Sequence, residues 1–169
     1  AIAFANNGDA RAGSITYNMG SDSMIFKTDG QNTALTIDSS QRVGIGSNNP
    51  QDYLDLGNAT GGKGIAWGGI TGTSHYSTIW SEYSSGSLIL GAGLKGSTTN
   101  TDFIAPWTGT MGYAAIELNN FVDDGIKFYT APNAAKTKGD VVTKNERMRI
   151  TPSGQVLIGR TSAGNTGNG

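Results

Sequence analysis

The apolar runs in this sequence are short, and their shortness limits the fold more than any other feature. Along the 169 residues, β-branched or aromatic runs alternate with clusters of Gly, Asn, Asp and Ser. No window of 11 residues keeps apolar positions at the three-and-four spacing of a helix without a Gly or Pro inside it. Short runs bounded by turn residues are typical of strands. We therefore predict an all-β fold of short antiparallel strands and hairpins, with little or no helix.

Each run is predicted to form one strand. In chain order the predicted strands are Ser14–Asn18, Ser23–Lys27, Thr33–Ile37, Arg42–Ile45, Gly64–Trp67, Ser77–Tyr83, Ser87–Leu90, Ala114–Leu118, Ile126–Thr130, Glu146–Ile150 and Gln155–Ile158.

An internal repeat organises the two ends of the chain. The stretch NTALTIDSSQRVGIG, from Asn32 to Gly46, aligns without a gap with NERMRITPSGQVLIG, from Asn145 to Gly159. Upstream of each copy, GSITYNMGSDSMIFKT resembles AAIELNNFVDDGIKFYT. Each copy has two apolar strands around a polar turn, and Pro152 and Gly154 suit a tight turn in the second. A lone hairpin is marginal in water, so we expect both copies to pack against a partner surface.

The repeat divides the chain into four predicted parts. Residues 1–56 contain the first β repeat unit, and residues 113–163 contain the second. Residues 57–112 hold all three tryptophans and the single histidine, and we interpret them as an aromatic-rich β insert and the candidate binding region. Residues 164–169, GNTGNG, are predicted to be a flexible C-terminal tail.

The supply of large apolar side chains is small. Leu, Ile, Val and Phe total 32 residues, whereas Gly, Ser, Thr and Asn total 74. A disordered chain with so few apolar residues would also have a high net charge, and this one has a net charge of −1. We infer a chain that orders by burying surface against copies of itself. The alternative is an ordinary β-sandwich core.

Several classes of function are disfavoured by the composition. The sequence has no cysteine, which removes disulfides and thiolate chemistry, and a single histidine argues against a His-based metal site. No apolar run approaches the roughly 20 residues of a membrane helix, and no basic cluster indicates nucleic acid. We expect no cofactor, no metal, no nucleic-acid partner and no membrane insertion.

Two longer stretches that contain the repeat resemble a known family. They are DSMIFKTDGQNTALTIDSSQRVGIGSNNP, and IKFYT followed further on by NERMRITPSGQVLIGRTSA. Both are similar to units found in distal tail fibres and tailspikes of bacteriophages. In those proteins a phrase like ERMRI, then a turn, then G-V-IGT-S-P commonly precedes an autocleaving intramolecular chaperone domain. The resemblance leaves residues 57–112 without a counterpart.

The resemblance implies a homotrimer of intertwined β-structure at the tip of a distal tail fibre, within the virion and outside the cell. It implies an upstream fibre shaft, and a chaperone domain removed from the C-terminus by cleavage or left out of this sequence. It also implies binding to a host cell-surface receptor. The aromatic residues of the insert favour a bacterial polysaccharide as that receptor, and a receptor other than a glycan is the alternative. Threefold winding would put the repeat residues Val43, Ile45, Val156 and Ile158 near the axis.

Signals for catalysis are weak. Glu82 with Asp102 or with Glu117 could form the carboxyl pair of a glycosidase, which needs the two groups roughly 5–10 Å apart. Nothing in the sequence sets that distance. Ser74 beside His75 does not make a catalytic triad, because neighbours in sequence need not meet in the required geometry. We expect no enzyme activity.

One strand of the insert is a candidate glycan platform. Aromatic rings stack on the C–H faces of sugars while polar neighbours donate hydrogen bonds. In HYSTIWSEY, strand alternation puts Tyr76, Thr78, Trp80 and Glu82 on one face. That face combines two aromatic rings with a carboxylate, which is a suitable composition for binding a sugar.

Other aromatic residues of the middle of the chain extend this set. Trp107 follows Pro106 amid Thr and Gly and is expected to be exposed on a loop, whereas Trp67 and Trp80 could instead form the core of the insert. The candidate receptor-binding residues are Trp67, His75, Tyr76, Trp80, Glu82, Tyr83, Trp107 and Tyr113.

The predicted function is receptor binding by a phage tail-fibre tip, as a homotrimer without catalysis. Two alternatives stay open. In the first the chain is a structural fibre connector whose aromatic residues are all buried. In the second it is a polysaccharide depolymerase.

Overall fold

All regular structure in the described residues is β-strand, mostly in antiparallel sheets, which confirms the all-β prediction. The computed structural model describes residues 1–6, 9–29, 32–57, 63–68, 76–83, 86–119 and 125–159. The chain divides into two units, Ala1–Asn58 and Ala59–Gly169, each with its own sheets. The predicted tail, residues 164–169, lies outside the described residues.

The strands of the first unit are β1 (Ile2–Asn6), β2 (Asp9–Asn18), β3 (Ser23–Thr28), β4 (Asn32–Ile37), β5 (Val43–Ile45) and β6 (Leu54–Asp55). Those of the second unit are β7 (Gly64–Gly68), β8 (Tyr76–Ser81), β9 (Leu88–Ala92), β10 (Lys95–Gly96), β11 (Phe103–Ile104), β12 (Gly109–Asn119), β13 (Gly125–Lys136), β14 (Val141–Val142), β15 (Glu146–Ile150) and β16 (Val156–Ile158).

Every strand predicted from the sequence overlaps an observed strand, and β1, β6, β10, β11 and β14 are additional. Apart from β1, the additional strands have two residues each. Elements this short have no periodicity to detect and are defined by the strand with which they pair. β12 and β13 exceed their predicted lengths because they pair with each other along almost their whole extent.

The first unit is one six-stranded sheet in which spatial order follows chain order. All neighbours are antiparallel, except that β6 runs parallel to β5. Sequential antiparallel strands need only short connections, so short runs separated by turn residues favour this arrangement.

The second unit has two sheets. Seven strands form the larger one, in the order β16-β15-β13-β12-β9-β8-β7, and β10, β11 and β14 form a three-stranded sheet. Residues of both sheets contribute to one hydrophobic core. Because side chains alternate along a strand, this core uses only one face of the larger sheet, which we call the inward face.

Phe103, on β11, lies at the centre of that core and is fully buried. Its ring makes edge-to-face contacts with Trp80, Tyr113 and Tyr129, with ring centroids 5.7, 6.4 and 5.4 Å apart. Such pairs stabilise by about 0.5–1.5 kcal/mol each beyond their area burial. A two-residue strand absent from the sequence prediction therefore connects β8, β12 and β13 through a single side chain.

The central stretch and the second repeat share one sheet. β9, inside residues 57–112, pairs with β12 from Leu88 opposite Leu118 to Ala92 opposite Ala114. The predicted boundary between residues 112 and 113 falls within β12, whereas the one after residue 56 lies close to the observed division after Asn58.

The sequence repeat is also a structural repeat. β2, β3, β4 and β5 are joined in the same order as β12, β13, β15 and β16. Their registers agree residue for residue: Phe26 lies opposite Leu35, and Phe128 lies opposite Met148. A register shift follows Phe26 and Phe128 alike. The aligned sequences therefore encode one four-stranded unit twice.

The two hairpin turns of the repeat use the same hydrogen bonds with different side chains. In the first turn, the N–H of Arg42 donates to Asp38 Oδ1 at 2.9 Å. In the second, the N–H of Gln155 donates to Thr151 Oγ1 at 3.1 Å. Each turn also has a backbone bond in the opposite direction. The N–H of Asp38 donates to the carbonyl of Arg42 at 3.0 Å, and the N–H of Thr151 donates to the carbonyl of Gln155 at 2.9 Å. Carboxylate and hydroxyl oxygens are thus interchangeable acceptors in this turn.

We predict that Asp38→Ala lowers the melting temperature more than Asp38→Thr. Alanine leaves the N–H of Arg42 without its acceptor, whereas a threonine hydroxyl accepts it as Thr151 does in the second copy. Thermal unfolding followed by circular dichroism measures both variants. Equal losses for the two substitutions would contradict the equivalence of the turns.

The same pair of variants tests a pH effect. The hydrogen bond from the N–H of Arg42, followed by the guanidinium of Arg42, holds the pKa of the Asp38 carboxyl below its ordinary value. A carboxyl whose pKa is lowered by folding contributes stability that is fully present above its unfolded pKa of about 3.9. That contribution is lost as the pH falls through the lowered pKa of the folded state. The difference in melting temperature between the native chain and Asp38→Thr should therefore shrink in acid.

We predict that Gly96→Ala destabilises the second unit by about 1–3 kcal/mol through overpacking. A Cβ at Gly96 would overlap the indole nitrogen of Trp80, which is 5% exposed and has no room to move. The matched control is Gly68→Ala, where a Cβ would meet Tyr76 at an ordinary 3.6 Å. Urea denaturation measures both, and equal effects would contradict this packing.

Candidate functional site

A row of apolar side chains crosses all seven strands of the larger sheet. The register aligns them one per strand, on the side opposite the inward face, which we call the outward face. In spatial order from β7 to β16 they are Ile65, Ile79, Leu90, Ile116, Phe128, Met148 and Ile158. Nothing in the described part of the second unit covers them, and Ile158 is 74% exposed.

A second apolar row runs beside the first on the outward face. It consists of Leu88, Leu118, Ile126, Ile150 and Val156, on β9, β12, β13, β15 and β16. Strands lie about 4.8 Å apart, so the seven-stranded row is about 30 Å wide. A contiguous apolar surface of this kind marks an interaction site in a soluble protein.

The sheet of the first unit has the same feature. One row across β1 to β5 consists of Ile2, Ile15, Phe26, Leu35 and Ile45, and a second across β2 to β6 consists of Tyr17, Met24, Ile37, Val43 and Leu54. Several of these side chains are at least half exposed, including Ile2, Tyr17 and Leu54. We call this side the apolar face of the first unit.

The two copies of the repeat share this apolar surface and differ on the opposite side. Equivalent outward pairs, such as Ile45 with Ile158 and Val43 with Val156, are apolar in both copies. On the other side, Thr36, on β4, has the charged Arg149 as its counterpart on β15. The apolar face is thus the common element of the two copies.

Trp67 lies on the outward face. It is 56% exposed and pairs with Ser77, whereas Trp80 pairs with Gly64 and points to the inward face. The two tryptophans were predicted either to bind the receptor together or to form the core of the insert together. The structure places them on opposite faces of the sheet instead.

The predicted platform on β8 is the inward face, and most of it is buried. Trp80 and Glu82 are 5% and 6% exposed. Tyr113 is also in the core, where its hydroxyl donates to the carbonyl of Thr143 and accepts from the N–H of Asn145 at 2.9 Å. These three residues offer no ring or carboxylate to a sugar at the surface, because the three-stranded sheet and its flanking loops cover them.

The remaining candidate residues lie apart from one another. Tyr76 is the first residue of β8 and Tyr83 lies two residues beyond its last, and both are half-buried. Trp107 is also half-buried and packs against the core, with Gly109 against its indole ring, instead of standing exposed on a loop as predicted. His75 lies outside the described residues.

The structure brings two buried carboxylates together around one lysine. Lys144 Nζ lies 2.7 Å from Glu82 Oε1 and 4.0 Å from Glu117 Oε1, and 4.5 Å from the centroid of the Phe103 ring. Glu82 and Glu117 are the pair considered above as glycosidase carboxyls. The ammonium group contacts both, so the two carboxylates share one positive charge within the core.

Glu117 has further partners. Its Oε2 accepts a hydrogen bond of 2.5 Å from the Tyr129 hydroxyl, and its Oε1 accepts one of 3.4 Å from Asn119 Nδ2. Burial of the ring, followed by the bond to this carboxylate, raises the pKa of Tyr129, which keeps the phenol protonated. A carboxylate that is 2% exposed is thereby held by a cation, a phenol and an amide.

Two cavities open in the second unit. The first, of about 140 Å³, lies among β7, β8 and β10, and its walls include Lys63, Tyr76, Thr78, Trp80, Lys95 and Ser97. The second, of about 230 Å³, has walls that include Met111, Tyr113, Pro132, Lys136 and Val142. Side chains of β8 and β12 that line them belong to the inward face.

The sequence did not predict most of the apolar residues of the outward face, nor the three lysines that lie at the cavity or beside the buried carboxylates. The run SLIL contained a signal for that face, because consecutive apolar residues indicate a strand buried on both faces, and Leu88 and Leu90 lie outward while Ile89 is in the core. Lys63, Lys95 and Lys144 had no comparable signal, because they meet their neighbours only through tertiary contacts.

No group of three or more His, Asp or Glu side chains suited to a metal ion occurs in the described ranges. The part of the chain that the structure describes also contains no helix long and apolar enough to cross a membrane.

Comparison with models of protein families, with curated proteins and with solved structures finds no match to this chain.

We predict that Lys144→Ala lowers the free energy of unfolding by about 3 kcal/mol. The substitution removes the cation that contacts both Glu82 and Glu117, and removing one partner of a buried ion pair is costly. Lys136→Ala is the matched control, because its ammonium contacts one carbonyl, that of Val141, at 3.4 Å. Urea denaturation at neutral pH compares them, and a loss no larger than that of the control would contradict a structural role for the network.

Proposed function

We propose that this chain is the subunit of a homotrimeric bacteriophage tail-fibre tip that binds a host cell-surface polysaccharide without catalysis. The supporting observation is the uncovered apolar face that occurs in each unit. The resemblance of the repeat to tail-fibre units, described above, provides the stoichiometry and the biological setting.

The first unit needs a covering surface most. Among its described residues, Pro50 is the only apolar side chain that is buried. A sheet is stable when one of its faces packs against another layer, and a six-stranded sheet without a core lacks that layer. Burial of each Ile or Leu in a layer would stabilise by about 1.5–3 kcal/mol.

Copies of the same chain are the proposed layer. The rows of the two repeat copies are equivalent, so both units present the same kind of surface to their partners. Three sheets whose apolar faces point to a shared axis form a closed prism, and closed symmetric assemblies leave no apolar face in water. This arrangement places Val43, Ile45, Val156 and Ile158 towards the axis.

The proposal of receptor binding is supported by the cavities and aromatic side chains that such an assembly leaves accessible to solvent. The inward side of the larger sheet has the two cavities and the half-buried Tyr76 and Trp107. Of these residues and the cavity walls, Ile65 alone belongs to an apolar row, so assembly through the outward face leaves the rest in contact with solvent.

A structural connector without a receptor site is the second candidate. The burial of Trp80, Glu82 and Tyr113 favours it, because three of the aromatic or acidic residues expected to contact a glycan are in the core. Binding of fluorescently labelled protein to host cells distinguishes the two candidates, since a connector does not label them.

We predict a mass of three times 17.5 kDa in sedimentation equilibrium at micromolar concentration. Ile158→Asp should dissociate this trimer, because it places three carboxylates in the shared apolar layer and removes three buried isoleucines. The cost to the single chain is small, since Ile158 is 74% exposed there.

The matched control is Val141→Asp. Val141 is 56% exposed but lies on the three-stranded sheet, away from the apolar rows. It should leave the trimer intact. A monomer for the native chain, or equal behaviour of the two variants, would contradict assembly through the outward face.

A further inference from the structure

The cavity among β7, β8 and β10 has a positively charged wall. Lys63 and Lys95 line it, and no carboxylate side chain does. None of the ion pairs within the described residues involves either lysine. Two lysine side chains at one concave space favour an anion there, because low-dielectric walls strengthen the attraction between opposite charges.

The same cavity has groups that suit a sugar ring. Tyr76 contributes a half-buried aromatic ring, and sugar C–H faces stack on such rings. The indole N–H of Trp80 lies beside Gly96 in the wall, and no described residue accepts a hydrogen bond from it. A hydroxyl or carboxylate oxygen of a ligand would satisfy that donor.

Two other polar side chains in the wall already have partners. Thr78 Oγ1 donates to the carbonyl of Leu94 at 3.1 Å. Ser97 Oγ accepts from the N–H of Thr99 at 3.2 Å and of Asn100 at 3.3 Å. These bonds hold the wall in place, so the groups left for a ligand are two lysine side chains, one indole N–H and one aromatic ring.

The size of the cavity limits the ligand. Its volume of about 140 Å³ is close to that of a cavity of about 150 Å³ that accommodates a benzene ring. Drug-sized ligands occupy about 300–1,000 Å³, so this space takes one saccharide unit of a longer chain. The cavity lies at β7, the edge strand of the sheet, where a polysaccharide can enter from the side.

We propose that this cavity binds a single anionic saccharide unit, with its carboxylate between Lys63 and Lys95 and its ring against Tyr76. This inference rests on the proposed receptor-binding function and assigns the receptor to acidic polysaccharides. None of these three side chains lies in the apolar rows of the outward face, so binding at the cavity and assembly of the trimer are separable.

The test compares three probes by saturation-transfer NMR titration of the full chain: methyl β-D-glucuronide, methyl β-D-glucoside and acetate. The glucuronide should bind about tenfold more tightly than the neutral glucoside, because two partly screened ion pairs contribute to it alone. Acetate should bind more weakly than the glucuronide, because it has no ring to contact Tyr76. The preference should decline with added salt.

The double variant Lys63→Ala/Lys95→Ala should lose the tenfold preference, whereas Lys136→Ala, at the second cavity, should retain it. Equal binding of glucuronide and glucoside, or an unchanged preference in the double variant, would overturn the proposal. Equal binding of acetate and glucuronide would overturn the saccharide part. A trimer that binds none of the probes would overturn this inference while leaving the assembly intact, and a monomer would overturn the assembly alone.

Discussion

The structure depends on one seven-stranded sheet whose two faces are both apolar. On the inward face, Phe103 and its three aromatic neighbours form the core of the second unit. On the outward face, apolar rows that end at Val156 and Ile158 have no cover among the described residues. Burial of apolar surface is the main favourable term in folding. A chain that exposes this much of it on one sheet is suited to association, and the proposed trimer supplies the missing layer.

The internal repeat shows which surface the duplicated unit has in common. Its outward positions are apolar in both copies, while the opposite side differs: Gly44 is the counterpart of Leu157, and Thr36 is the counterpart of Arg149. In the second copy this side packs against the core and the Glu117 network. In the first it packs on its own loops, where a Cβ at Gly44 would overlap Ser47. One scaffold thus has a constant apolar side, which we propose for assembly, and a variable side that in the second unit forms cavities.

Much of the fold was predictable, and much of the site was not. Short alternating runs predicted the strands, and the repeat predicted the two matching hairpins, because both signals are local or come from comparing the chain with itself. Trp80 and Glu82 lie on one strand face, as alternation predicts, but alternation does not reveal which face is covered. The two-residue strand that contains Phe103 decided that, and its pairing with Val142 joins residues far apart in sequence. The cavity between Lys63 and Lys95 depends on the same long-range packing.

The sequence by itself determined the all-β class, the hairpin repeat and the alternation that makes one side of each repeat apolar, since these follow from the two-residue period of a strand and from turn chemistry. Only the tertiary structure decided that β7, β8 and β9 extend the sheet of the second repeat, that Lys144 contacts Glu82 and Glu117, and that Trp67 and Trp80 lie on opposite faces. Those features depend on which strands become neighbours, and neighbours are selected by the packing of the whole core around Phe103 and not by any local pattern.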